Sequence, residues 1–471
     1  MTEKEMKDLG YKIIDHIVHH RLNFETKEVS NIGSYASLSE QVKKEMPMHG
    51  ENPEAVFDEL NSLIKNNIVH LDHPRFFSFI PGPSNYYSIL ADTLATGYNV
   101  FAGHWLGGSA AAMIETRTIT WLTQIAGYPK ESGGLFVSGG SMANLTAIVA
   151  ARTNKLKDDY TKGTIYYSEQ THSSLSKALR VIGFQEQNMR KIATHENFEI
   201  NIQELERTLD EDIKKGCIPC CIIGNAGTTN TGAIDDFDAL SRISEKYNAW
   251  FHIDAAYGGA TLLSEAYKAQ VKGIEKADSI TLDPHKWWFQ PYEMGCLLVK
   301  DKKTLKASFA VQAEYLDDTI KDEKEINYYD YGVQLSRSFR ALKLYTYFRC
   351  EGLTKIGGYV TQGIKNAEFL ETLFNAKDYW EVLSKPSIGI ISFRAKVTAA
   401  NINNDALNAE VSKHLSESGY AMITTTKLKG HLALRMCPIH PETTKEHLSK
   451  TVAIMNSYIE HKIKMAGNKA S

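Results

Sequence analysis

The chain has 471 residues, of which 43% are hydrophobic and 23% charged, and its 53 basic and 56 acidic side chains leave a formal charge of −3. This is the composition of a soluble globular protein, and no basic field invites nucleic acid or anionic lipid. Six cysteines are too few for a disulfide scaffold, and no window approaches the roughly 18 consecutive apolar residues of a membrane span.

The N-terminus, "MTEKEMKDLGYKIIDHIV", carries acids among its first residues and has no unbroken apolar core. It does not resemble a secretory signal, so a cytoplasmic protein is expected. Apolar residues recur at helical spacing from about Met6 to Leu22 and predict an amphipathic helix. His16 and His20 stand one turn apart on it, but acids at ligand spacing are lacking, and the pair reads as a solvated face. A second helix is predicted in "NPEAVFDELNSLIKNNIV", with Asn52 as N-cap and Pro53 at the first helical position. Residues 1–75 therefore read as an N-terminal helical segment.

Residues 76–340 read as a large domain. From Gly134 onward, short β-branched or aromatic runs alternate with helical ones: "GLFVSG", "TIYYSE", "CCIIGN", "AWFHIDAA", "SITLDP" and "GCLLVK". That alternation predicts an α/β domain with a mainly parallel sheet covered by helices. "CIPCC" resembles half of a zinc site, but no second Cys/His pair has matching spacing. Cys220 and Cys221 read as buried strand residues, and no metal is expected. Residues 341–471 read as a smaller α+β domain, with a helix in "LKLYTYFRCEGL" and strands in "IGIISFRAKV" and "HLALRMCPI".

Ligands of open α/β sheets bind at the carboxyl ends of the strands. After "GLFV" comes "SGGSMANLTAIVAAR", a small-residue turn that lets backbone amides and a helix N-terminus near Ser141 approach an anion. Glycines also close such turns when no ligand is present. "NLT" at Asn144 matches a glycosylation sequon, which a helix start makes accidental. His172 opens a helix after "TIYYSE", where a lone histidine is commonly a cap. Thr228 and Thr229 follow "CCIIG", and Asp254 ends "AWFHI" among residues too small to shield it, so it needs a positive partner. Lys286 then follows "SITLDPH", beside Trp287 and Trp288. An anion cradle, a buried acid, a stacking ring and a lysine along one sheet edge match what pyridoxal phosphate requires: phosphate amides, an acid for the pyridine nitrogen and a Schiff-base lysine.

With these motifs the sequence resembles the group II pyridoxal-phosphate-dependent amino-acid decarboxylases, and among them the aromatic L-amino-acid decarboxylases. The resemblance runs from "HPRFFSFIPGPSNYYSILADTL" through "SGGSMANLTAIVAAR", "HIDAAYGG", "DPHKW" and "SRSFRALKL" to "LRMCPIHPETT". It implies the aspartate-aminotransferase-like fold (fold type I) and a homodimer whose subunits share the active site. By motif, Lys286 would hold the cofactor covalently, Asp254 would bond the pyridine nitrogen, and His172 would stack on the ring. Gly140, Ser141 and His285 would bind the phosphate, while Thr228 and Ala256 would line the cofactor. Tyr315 in "AEYLDD" matches the tyrosine of a catalytic loop and would protonate Cα after carbon dioxide leaves. Phe79, Ile80 and Pro81 would line the substrate pocket, with Phe101 and His104 supplied by the second subunit.

Ile80 and Gly103 stand where animal members carry larger aromatic residues, which suggests a roomier pocket, and Ser338 stands where arginine is usual. Ser336 stands where plant members of the family separate phenolic from indolic substrates, and by that resemblance leans toward phenolic ones. Competing readings are a decarboxylase of histidine, glutamate or 2,4-diaminobutyrate, an aromatic aldehyde synthase, and a binding protein without activity. A charged substrate would require a fixed counter-charge, for which only Arg75 offers itself. Tyr315 and His172 favour decarboxylation over aldehyde formation, and Lys286, Asp254 and Tyr315 together favour an enzyme.

Overall fold

The computed structural model describes residues 1–42, 45–157, 160–310, 322, 324–399 and 401–468. The first helix, Glu3–Leu22, is set by a capping box: Thr2 Oγ1 accepts from Glu5 N–H, and Glu5 Oε2 accepts from Thr2 N–H. Helix Pro53–Lys65 begins on Asn52, whose side chain accepts from Ala55 N–H. Lys12 joins the two helices through Glu54 (2.9 Å) and Asp58 (2.7 Å). His16 and His20 are half-buried, contrary to a solvated face: His16 Nε2 is 3.6 Å from Asp58, and the His20 ring packs against Phe24 and His70. The acid missing from their own sequence neighbourhood comes from another helix. Among the described residues, no group of three side chains could hold a metal ion.

The large sheet contains β1 (Gly133–Val137), β2 (Gly163–Ser168), β3 (Met189–Ile192), β4 (Ile218–Asn225), β5 (Trp250–Asp254), β6 (Ser279–Leu282) and β7 (Gly295–Val299), in the order β1-β7-β6-β5-β4-β2-β3. The pairs joining β3, β2, β4, β5 and β6 are parallel, and β7 is antiparallel to both of its neighbours. Most of these strands are buried along nearly their whole length because helices cover both faces, and Cys220 and Cys221 are fully buried in β4. Register aligns the chemistry-bearing ends: Asn225 pairs with Asp254, and Asp254 with Thr281. The turn after β6 therefore emerges beside Asp254.

A second, antiparallel sheet contains β8 (Trp380–Ser384), β9 (Ile391–Ala395), β10 (Thr424–Leu428) and β11 (His431–Met436), in the order β10-β11-β9-β8. Phe374 stacks on Phe393 at 3.8 Å in its core, which also takes in Phe77. Helix Ala341–Glu351 packs on helices Tyr86–Gly97 and Trp105–Ile125, placing Leu344, Tyr347 and Phe348 in the large core. The N-terminal segment is tied to the second unit: Val29 N–H donates to Gly419 O, and Arg75 pairs with Glu25 while covering the Tyr420 ring. No described helix is long and apolar enough to cross a membrane.

Burial holds several histidines neutral. His73 and His252 are pushed down to about 4, and His285 and His440 to about 3, in each case mainly by desolvation. Each binds a proton more readily unfolded than folded, so its contribution is present above the ordinary histidine pKa and is lost as pH falls. Buried Asp235 and Asp283, pushed up to about 6, work in the opposite direction below that pH. His20, His70 and His172 are lowered by burial in the same way, while Asp278 and Asp330 are raised like the two acids, so the histidines outnumber the acids and the net effect is a loss of stability as pH falls. The melting temperature of the apoprotein is expected to fall steadily between pH 6.5 and 4.5, as followed by circular dichroism; a flat profile would contradict the buried neutral histidines.

Candidate active site

A cavity of about 260 Å³ opens at the carboxyl edge of the large sheet. It is bounded by Gly140 and Ser141 after β1, His172 after β2, Thr228 after β4, Asp254 and Ala256 at the end of β5, and His285 and Lys286 after β6. The eight cofactor residues predicted from sequence thus meet in one place.

Helix Gly140–Leu156 starts at Gly139 with no side-chain cap; Gly140 N–H is taken by Asp283 and Met142 N–H by Gly139 O, which leaves the Ser141 amide at the helix start to an anion. The approach is close. A Cβ on Gly139 would lie 3.1 Å from the His285 ring, and one on Gly140 would lie 3.0 Å from Asp283 Oδ2. His285 Nδ1 accepts from Met294 N–H at 3.2 Å, which leaves the proton of the neutral ring on Nε2 as a donor. His172 is the N-cap of helix Ser173–Val181, its Nδ1 accepting from Ser174 N–H, so the cap reading and the cavity position both hold. Burial first, then the charge of Lys286, lowers its pKa, leaving a flat neutral ring.

Asp254 is half-buried. Oδ1 accepts from Ala256 N–H (3.1 Å) and Oδ2 from the Asn144 side-chain amide (2.9 Å). Lys286 Nζ lies 3.3 Å from Asp283 Oδ2, which also accepts from Gly140 N–H at 3.1 Å. Desolvation pushes the Asp283 carboxyl up to about 6 despite that lysine. Trp287 and Trp288, fully buried, fasten the lysine's turn into the core, Trp287 stacking on Tyr257 at 4.9 Å.

The predicted substrate residues do not bound this cavity. Phe79 is 58% exposed at φ 48, its carbonyl held by buried Arg435, while Ile80 packs on the large core and Pro81 is buried. The next residue runs beside the site, since a Cβ on Gly82 would lie 3.1 Å from His285 O. Phe101 and His104 pack together at 4.8 Å, and His104 caps helix Trp105–Ile125. A Cβ on Gly103 would lie 2.5 Å from Leu335 O, so glycine there answers to backbone packing instead of enlarging a pocket. Arg75 is taken up by Glu25 and backbone carbonyls. Tyr315 lies outside the described residues.

Two participants were missed in the sequence, together with a buried arginine outside the cavity lining. Asn144 stands one turn into its helix, which is a signal that could have been read. Asp283 is the acid of "DPHK". Arg435, from β11, is 3% exposed, and its Nε and Nη2 have no partner among the described residues.

Residues 36–396 match a family model described as the pyridoxal-dependent decarboxylase conserved domain. The chain is 39% identical over 452 residues to an aromatic-L-amino-acid decarboxylase of Bacillus atrophaeus, covering 95% of this chain and 94% of that one. It is 27% identical over 481 residues to a phenylacetaldehyde synthase of Arabidopsis thaliana, covering 98% of each. The crystal structure of Oryza sativa TDC with PLP and tryptamine is similar with a TM-score of 0.92 and 25% identity, covering 98% of this chain and 99% of that one.

Proposed function

Because the chain belongs to the pyridoxal-dependent decarboxylase family, we propose that it removes the α-carboxylate of aromatic L-amino acids as carbon dioxide, releasing the aryl amine. The observation that carries the reading is the meeting of Lys286, Asp254, His172 and an uncapped helix start in one cavity, together with the relatedness to an aromatic amino-acid decarboxylase.

Pyridoxal phosphate, when bound, supplies an electron-withdrawing ring that draws in the electron pair of the broken Cα–carboxylate bond. The residues present fit it: Lys286 would be its covalent tether, Asp254 the acceptor for its ring nitrogen, and Ser141 N–H with His285 Nε2–H the donors to its phosphate. Ser141 belongs to that helix start. The neutral His172 ring would pack against it, and Thr228 and Ala256 would bound the same cavity. Tyr315 gives a proton to Cα after carbon dioxide departs.

The shared-site homodimer rests on surface left open by one chain. Tyr87, Leu90 and Leu94 form an exposed apolar stripe on helix Tyr86–Gly97, and Tyr98 and Leu106 extend it toward Phe101 and His104. A second copy covers this stripe and brings those two residues to its neighbour's site. Leu94→Lys is expected to weaken self-association on the order of tenfold or more and to lower activity in parallel, as read by sedimentation and assay across protein concentrations. An active monomer would refute sharing.

An acidic substrate is the second reading, favoured by buried Arg435, whose Nε and Nη2 have no partner among the described residues, although it does not line the cavity. Incubation with a mixture of all common amino acids, followed by identification of the products, separates the possibilities. Aromatic amines, one per carbon dioxide and without peroxide, are expected. Amines from glutamate or histidine would overturn the aromatic reading, and aldehyde with peroxide would make the chain an aldehyde synthase.

A further inference from the structure

Behind Asp254 a line of side chains runs into the core. Asn144 Nδ2–H donates to Asp254 Oδ2 (2.9 Å). Asn144 Oδ1 is 3.1 Å from His252 Nε2, and His252 Nδ1 is 2.8 Å from Ser279 Oγ. The indole N–H of Trp250 donates to that same oxygen at 2.8 Å. Asn144, His252, Ser279 and Trp250 are at most 4% exposed, and their polar side-chain atoms all find partners within the line.

Both ends of the line can act in one way only. A carboxylate only accepts and an indole N–H only donates. Facing Asp254, Asn144 must present its NH2, which turns its oxygen toward His252. His252 must then carry its proton on Nε2, leaving Nδ1 to accept. The Ser279 hydroxyl must donate to Nδ1, and the Trp250 indole fills the lone pair that Ser279 exposes. Reversing any one member would oppose two donors or two acceptors in a dry interior, where an unmade hydrogen bond is costly.

We propose that Asn144 and His252, backed by Ser279 and Trp250, are positioning residues that fix the direction of the Asp254 carboxylate toward the cofactor's ring nitrogen. The inference rests on the cofactor reading given above. Asn144 has a second consequence. Its amide passes polarisation along the line but has no proton to give up, so it separates the imidazole of His252 from the carboxylate. The amide protons of Asn144 and Ala256 stay on their nitrogens, so the proton that Asp254 would share with a titratable partner is the one on the ring nitrogen. Register explains how the line arises, because β5 places His252 opposite Ser279 of β6 and two residues before Asp254, hence on the same face of the sheet.

The test combines four variants with three measurements. Pyridoxal phosphate is titrated into apoprotein by absorbance, kcat and KM are measured with an aromatic amino acid, and apoprotein folding is checked by near-ultraviolet circular dichroism. Asn144→Leu and His252→Leu are each expected to weaken cofactor binding about 10- to 100-fold, the usual cost of removing an orienting partner, and to lower kcat with KM unchanged. The double variant should be no worse than either single one, since both break the same line. His252→Gln, which can accept and donate in the same order, should stay within about threefold of wild type.

In apoprotein labelled with nitrogen-15 at histidine, the His252 ring should show a proton on Nε2 and a bare Nδ1. That readout needs no cofactor and no substituted core. Additive losses, a folded His252→Gln no better than His252→Leu, unchanged cofactor affinity in Asn144→Leu, or the opposite tautomer would each overturn the proposal. Failure of wild-type protein to bind pyridoxal phosphate would instead overturn the underlying cofactor reading.

Discussion

Lys286→Ala will abolish turnover, by on the order of 10⁴-fold or more, the scale seen when a nucleophile is removed, and will eliminate the visible absorption of covalently held cofactor. The fold should survive. Lys286 occupies a turn fastened by two wholly buried tryptophans, and its ammonium serves Asp283 instead of the core. Removing the ammonium leaves that carboxyl buried without its cation, so its proton affinity, already raised by desolvation, rises further. The sign of the pH effect follows. At pH 8 the variant must hold an unpaired buried carboxylate and should melt below wild type, whereas toward pH 5.5 Asp283 takes up a proton and the gap should narrow. Cofactor absorption, activity and melting curves at the two pH values check all three parts. Activity retained in a folded Lys286→Ala protein would end the assignment of the lysine.

The parts of the molecule that were legible in the sequence are those where burial writes a simple pattern. Strands covered on both faces read as short runs rich in β-branched, aromatic and other apolar residues, and six of the seven in the large sheet were visible in this way. The seventh, Met189–Ile192, is an edge strand of four residues with Arg190 and Lys191 in it, and it carries no such pattern. Helices Tyr86–Gly97 and Trp105–Ile125 escaped for a related reason. Both are rich in alanine, glycine and threonine, and the stripe Tyr87, Leu90, Leu94 is exposed on the single chain, so no polar face marks a solvent side.

Within the site, residues that follow a strand directly were legible because sheet edges bind ligands whatever the fold's details. Asn144 and Asp283 were not, since their importance depends on which strands lie side by side. Asn144 reaches Asp254 across 110 positions of sequence, and Asp283 touches Gly140 across 143. Arg435 illustrates the same limit. It arrives from the second sheet, and no local pattern announces that two of its donors, Nε and Nη2, face no partner among the described residues.

Asp254 provides the remaining large effect, and three substitutions separate its charge from its reach. Each of its oxygens accepts one protein hydrogen bond, from Ala256 N–H and from Asn144. Asparagine would turn its NH2 toward one of those donors and would bring no charge to the ring nitrogen. Alanine removes both acceptors and leaves Asn144, itself 1% exposed, with an unmade bond. Breaking a buried charge-assisted pair costs about 2–5 kcal/mol, so Asp254→Ala and Asp254→Asn should lose cofactor on dialysis and most of their turnover. Asp254→Glu keeps the charge at the end of a longer arm and should retain more cofactor than either, with impaired turnover because the carboxylate no longer meets Asn144 and Ala256 at the same angle. The measurement is cofactor per chain after exhaustive dialysis, alongside kcat. Equal occupancy in the Ala and Glu variants would place the acid outside the site, because only a carboxylate that reaches the ring nitrogen makes the two variants differ.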